Sequence, residues 1–77
     1  MKKVIIYSTP ACVYCNMAKE FFKNNNVEFE SIDLSVNSDK IAEMVEKSGQ
    51  RGVPVIDIDG EIIVGFNESK ISSLLGI

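Results

Sequence analysis

The stretch Val4-Ile5-Ile6-Tyr7-Ser8-Thr9-Pro10-Ala11-Cys12-Val13-Tyr14-Cys15 decides the fold. Its first four residues form a continuous β-branched and aromatic run, the composition of a central strand covered on both faces. Ser8-Thr9-Pro10-Ala11 is expected to break that run. Tyr14, Met17, Ala18, Phe21 and Phe22 then recur at helical spacing, with Asn16, Lys19, Glu20 and Lys23 on the opposite face. The only two cysteines of the 77 residues, Cys12 and Cys15, therefore stand at a strand-to-helix junction. A C-x-x-C in that setting points to redox chemistry rather than to zinc.

The rest of the chain extends this start. Asn24-Asn25-Asn26 ends the first helix, because Asn tolerates the left-handed backbone that closes helices. Val27, Phe29, Ile32 and Leu34 predict a second, half-alternating strand. Asn37-Ser38-Asp39 suits the capped, acidic start of a second helix, whose apolar face is Ile41, Met44 and Val45 and which stops at Gly49. Pro54 opens a third strand, Val55-Ile56-Asp57-Ile58, and Asp59-Gly60 turns it into an antiparallel fourth, Glu61-Ile62-Ile63-Val64. Asn67 caps a short last helix carrying Ile71, Leu74 and Leu75, and Gly76 ends it. The expected fold is α/β, in the order β-α-β-α-β-β-α, with a four-stranded mixed sheet between helices on both faces.

Composition narrows the function classes. A chain of 77 residues is expected to be one domain, 1–77, with one small core. Eight basic and eleven acidic residues are spread along it without a basic stripe, which argues against nucleic acid as a partner. Met1-Lys2-Lys3 mimics the start of a secretory leader, but the apolar run behind it is too short for one. No stretch approaches a membrane span. The expectation is a soluble, monomeric, cytoplasmic protein.

The two thiols are suited to switching. Cα atoms three apart in a helix lie about 5–6 Å from each other, within the range a disulfide accepts. Loop-closure entropy for so short a ring gives only about 2 kcal/mol, which makes a weak brace. Cys12 falls where the first turn begins, facing free N–H groups and the positive end of the helix dipole, and these stabilise thiolate. Cys15 lies one turn inward and more shielded. Cys12 is therefore the candidate nucleophile and Cys15 the resolving thiol. Buried core cysteines are the alternative reading. A closed zinc site would need two further ligands from outside this pair, and the chain has no His, which also removes Cys-His protease chemistry.

Three segments carry a resemblance: Tyr7 to Cys15, then Gly52-Val53-Pro54, then Gly65-Phe66-Asn67-Glu68. Together they resemble a glutaredoxin or glutaredoxin-like redoxin of the thioredoxin-fold superfamily, over the whole chain. The resemblance implies a thiol-disulfide oxidoreductase that reduces protein disulfides or glutathione mixed disulfides through Cys12 and Cys15. It implies a cis peptide before Pro54, with the Val53 peptide group facing Cys12. It implies glutathione as co-substrate, with no tightly bound cofactor and no metal. Arg51 would pair with a glutathione carboxylate, Asn67 and Glu68 would hold its γ-glutamyl end, and Tyr14 would line the groove. Helix capping is the plain alternative for Asn67 and Glu68, and partial core burial for Tyr14.

The chain also departs from the common pattern of that family. Val13 stands where Pro is usual, Gly52 where Thr is usual, and the region of Thr9 lacks the usual Lys. Gly65-Phe66 resembles instead the small redoxins recharged by thioredoxin reductase, which serve ribonucleotide reductase. The electron donor is thus open between glutathione and thioredoxin reductase. A dimer bridging a [2Fe–2S] cluster through Cys12 and two glutathiones is a further alternative.

Overall fold

A computed structural model describes residues 2–77; Met1, part of the leader-like start, lies outside them. The elements are β1 (Val4–Ser8), α1 (Val13–Asn24), β2 (Glu30–Asp33), α2 (Lys40–Ser48), β3 (Val55–Ile58), β4 (Glu61–Val64) and α3 (Glu68–Leu75). The four strands form one sheet in the order β2-β1-β3-β4. β1 runs parallel to β2 and antiparallel to β3, and β3 and β4 form the antiparallel hairpin read from Asp59-Gly60. Asp59 and Gly60 both take positive φ there, 54° and 96°. The expected element order and mixed sheet are both present.

Strand alternation divides the core into two layers. Val4 and Ile6 of β1, with Ile56, Ile58 and Ile63, pack against Ala18 and Phe22 of α1 and Ile71 of α3. Tyr7 and Val55, with Ile32 and Leu34, pack against Met44 of α2. One face thus carries α1 and α3 and the other α2. Each large apolar side chain sealed this way contributes about 1.5–3 kcal/mol from burial.

Four details differ from the sequence reading. Ser8 continues β1 rather than breaking it, because its carbonyl accepts the Leu34 N–H at 2.9 Å and it pairs in register with Asp33. Val27 and Phe29 lie before β2, not in it; they pack as loop residues against the α1 layer. Tyr14 and Met17 do not share the buried face of α1. They are 63% and 46% exposed, while Cys15, Ala18 and Phe22 are fully buried. Helical spacing alone fits either phase, and the sheet selects the face that begins at Cys15. Asp39 takes the N-cap position of α2 without a side-chain cap bond, and the Asn37 side chain donates instead to the Asp33 carbonyl at 3.0 Å.

A polar network pins α2 to the sheet. The buried Tyr7 hydroxyl donates to the Glu43 carboxylate. Lys47 Nζ donates to Tyr7 Oη and to Asp57 Oδ2, both at 2.9 Å. Burial, with the Glu43 bond, raises the Tyr7 phenol above its ordinary value, so it stays protonated. The bonds to Tyr7 and then Asp57 hold the Lys47 ammonium well above the usual lysine range.

Candidate redox site

Cys12 is the N-cap of α1, with extended backbone (φ −83°, ψ 112°). That position follows from the turn before it, where the Cys12 N–H bonds back to the Thr9 carbonyl at 3.2 Å and Pro10 and Ala11 form the corner. The sulfur of Cys12 replaces the oxygen of an ordinary cap. Its Sγ accepts the N–H of Cys15 at 3.1 Å, and its carbonyl accepts that of Asn16 at 3.2 Å. Cys12 and Cys15 are joined as a disulfide with Cα atoms 5.2 Å apart. Cys12 is half-buried and Cys15 fully buried, so an incoming sulfur can reach only the first.

The second wall is the loop before β3. The Val53–Pro54 peptide is cis. The Val53 carbonyl oxygen lies 3.8 Å from Cys12 Sγ, within reach of a thiol S–H. Gly52 in this loop is bracketed by the Gln50 side chain, which accepts its N–H at 2.6 Å and donates to its carbonyl at 2.9 Å. A Cβ at position 52 would stand 2.7 Å from Gln50 Oε1, so glycine permits this bracket.

The loop between β4 and α3 completes the site. Gly65 adopts φ 82°, a left-handed conformation that glycine takes without strain, and its N–H bonds to the Pro54 carbonyl at 2.8 Å. The two loops are thereby tied together. Asn67 caps α3, its Oδ1 accepting the Lys70 N–H at 3.2 Å, and Glu68 stands exposed in the first turn. Phe66 packs edge-on against Phe21, with centroids 5.8 Å apart. Val13, Met17, Phe21 and Phe66 wall a groove along α1, with Glu20 and Glu68 also lining it. Val13 is 67% exposed beside Cys12.

The glutaredoxin family model matches residues 4–63, most of the chain. The chain belongs to the glutaredoxin family. A glutaredoxin-like 8.6 kDa protein from the rubredoxin operon of Clostridium pasteurianum is 46% identical over 70 residues, covering 91% of this chain and 93% of its own. Glutaredoxin 3 of Escherichia coli strain K12 is 35% identical over 68 residues, covering 88% of this chain and 82% of its own. Among solved structures, a mutant of the thioredoxin-like protein BC3987 superposes with a TM-score of 0.91 at 35% identity, over 100% of this chain and 99% of its own. Glutaredoxin membership and the joined Cys12–Cys15 pair make this chain a thiol-disulfide oxidoreductase.

Within that glutaredoxin frame, Thr9, Cys12, Cys15, Val53, Pro54 and Gly65 are linked by direct contacts. Phe66 and Glu68 belong to the α1 groove. Tyr14 is solvent-facing rather than core. Arg51 is exposed and lines a different groove, against Ile41, Val45 and Glu46 of α2. Among the described residues, no group of three or more His, Cys, Asp and Glu is placed to hold a metal ion, and no helix is long and apolar enough to cross a membrane. The sequence reading missed the network of Tyr7, Glu43, Lys47 and Asp57. The one available signal was an aspartate, Asp57, inside an otherwise apolar strand.

Proposed function

We propose that this glutaredoxin reduces glutathione mixed disulfides and protein disulfides, with Cys12 as nucleophile, Cys15 as resolving thiol and glutathione as electron donor. The observation that supports it most is the Val53 carbonyl 3.8 Å from an accessible Cys12, with Cys15 buried behind. A substrate sulfur approaching Cys12 meets the cis-proline loop, whose backbone can pair with the substrate's own. The Cys12 thiolate attacks that sulfur. One S–S bond forms as another breaks, and the leaving thiolate takes a proton from water. Cys15 then attacks Cys12 and releases the second thiol. The chain is left as the Cys12–Cys15 disulfide, two electrons having passed to the substrate. Two glutathiones return it to the dithiol and leave as glutathione disulfide.

Asn67 and Glu68, at the N-terminus of α3, supply an acceptor pair for the γ-glutamyl ammonium, and Arg51 a cation for a carboxylate. Reversible dithiol chemistry of this kind suits a cytoplasmic setting. A second reading has the protein recharged directly by thioredoxin reductase. The apolar groove of Val13, Met17 and Phe66 beside Cys12 favours it, because that surface suits a protein partner. A coupled assay decides. NADPH oxidation with glutathione and glutathione reductase supports the first reading; oxidation with thioredoxin reductase alone replaces it with the second.

A further inference from the structure

The loop between α2 and β3 carries two glycines, Gly49 and Gly52, so its backbone loses much freedom when held in one form. Side chains hold it. Ser48 Oγ lies 2.7 Å from the Met44 carbonyl and 2.9 Å from that of Gln50, and it accepts the Gln50 N–H at 3.4 Å. Gln50 in turn uses its side-chain amide as a neighbouring strand would use a peptide group, filling both the N–H and the carbonyl of Gly52. Downstream, Pro54 has no N–H, and its carbonyl accepts the Gly65 N–H at 2.8 Å. Val53 stands between these two closed residues. Its carbonyl faces Cys12 Sγ, and its N–H bonds to no other group among the described residues. From Gly52 to Pro54, an open N–H and carbonyl pair is thus offered at Val53 alone.

We propose that Gln50 is a positioning residue that confines substrate backbone pairing to Val53. This rests on the reading of the cis-proline loop as the element that pairs with the substrate's main chain. A substrate chain set one residue toward Gly52 finds both groups taken by Gln50. Set one residue toward Pro54, it finds no donor. The register at Val53 is the one that leaves no polar group of the loop or the substrate unpaired, and it sets the substrate beside Cys12. The bracket also orders Gly52 before a substrate arrives, so binding does not bear that ordering cost. The Gln50 side chain touches neither Cys12 nor the reacting sulfurs; it acts through Gly52 on the residue that follows.

The test is a single turnover of the reduced protein with two symmetrical disulfides. One is the disulfide of a capped Ala-Cys-Ala tripeptide; the other is hydroxyethyl disulfide, which has no main chain. Each reaction oxidises the Cys12–Cys15 dithiol and releases two thiols, so no glutathione is needed. Each rate is divided by that of dithiothreitol with the same disulfide, and the ratio of the two is the peptide preference. Gln50→Met keeps the length and removes both brackets. It is expected to lower the preference about fivefold, the scale of one hydrogen bond's net contribution. The φ of Gly52 lies outside the left-handed region, so Gly52→Ala strains no backbone, but its Cβ would expel Gln50 Oε1. That variant is expected to show the same loss with Gln50 in place, and the double variant to lose no more than either single one. A merely structural role, checked by urea denaturation, would slow both disulfides alike and leave the preference unmoved. A preference in Gln50→Met equal to wild type, or additive losses in the double variant, overturns the proposal alone. A wild type with no peptide preference at all overturns the pairing reading, and the proposal with it.

Discussion

The backbone N–H of Cys15 donates to the sulfur of Cys12 at 3.1 Å, so the buried cysteine's own amide caps the half-buried one. With the disulfide opened, that donor and the start of α1 both favour a charged Cys12 sulfur. Iodoacetamide at neutral pH is therefore expected to alkylate Cys12 well before Cys15, as read by peptide mass mapping. Cys12→Ser should lose all turnover of a glutathione mixed disulfide, while Cys15→Ser retains it. Alkylation of Cys15 first would reverse the two roles.

Asn67 has two separable duties. Its Oδ1 caps α3, so Asn67→Ala is expected to cost about 1 kcal/mol of stability in urea denaturation. Asn67→Ser retains a capping oxygen and should keep stability close to wild type. If the side chain also holds glutathione, both variants raise KM for glutathione. A KM that rises only in Asn67→Ala would reduce the residue to a cap.

Asp57 gives the fold a pH dependence of defined sign. Burial alone would raise its carboxyl, but the hydrogen bonds from Lys47 and from the Gly60 N–H outweigh it and hold the group below the ordinary 3.8. A carboxyl lowered by folding contributes stability that is present above its unfolded value and lost as pH falls through its folded one. Asp57→Asn keeps the acceptor for Gly60 and removes only the charge. It should cost about 1 kcal/mol at pH 7, a modest value because Lys47 stays partly hydrated. The difference from wild type should narrow below about pH 4. Urea denaturation at pH 7 and pH 3 measures it.

Phe22 sits fully buried where α1, the sheet and Phe29 meet. Phe22→Ala is expected to cost about 3–5 kcal/mol, a large share of the stability of so small a domain. Thermal unfolding followed by circular dichroism would show it as a large drop in Tm. A drop of only a few degrees would mean that the α1 layer collapses around the cavity.

The features legible in the sequence are those that local chemistry determines. The apolar run of β1, the Asp59-Gly60 turn, the Asn67 and Gly76 caps and the Cys12–Cys15 spacing each state their structure within a few residues. The phase of α1 was not legible, because Tyr14 and Met17 fit helical periodicity as well as Cys15 does. Only the sheet decides which face is buried. The bonds of Tyr7 to Glu43 and Lys47 join residues 36 and 40 positions apart, so no local window contains them. The full burial of Ser8 was hidden for the same reason: it depends on what the fold lays over the strand, and a serine after an apolar run reads as a strand end.

The register of β1 on β3 sets Tyr7 opposite Val55. The reactive thiol leaves the end of one strand of this pair, and the Val53 carbonyl precedes the start of the other. The gap between them is set by a ladder of backbone bonds, in the manner of a caliper whose jaws are two adjacent strand ends. A slip of one residue would displace one jaw by about 3.4 Å and turn its side chains over. Tolerance to insertion should therefore be uneven. The turn at 35–39 follows the edge strand β2, lies outside this ladder and should tolerate an added residue. One residue added within 9–11 or 50–53 would open the caliper and leave a folded protein unable to present Cys12 to a partner.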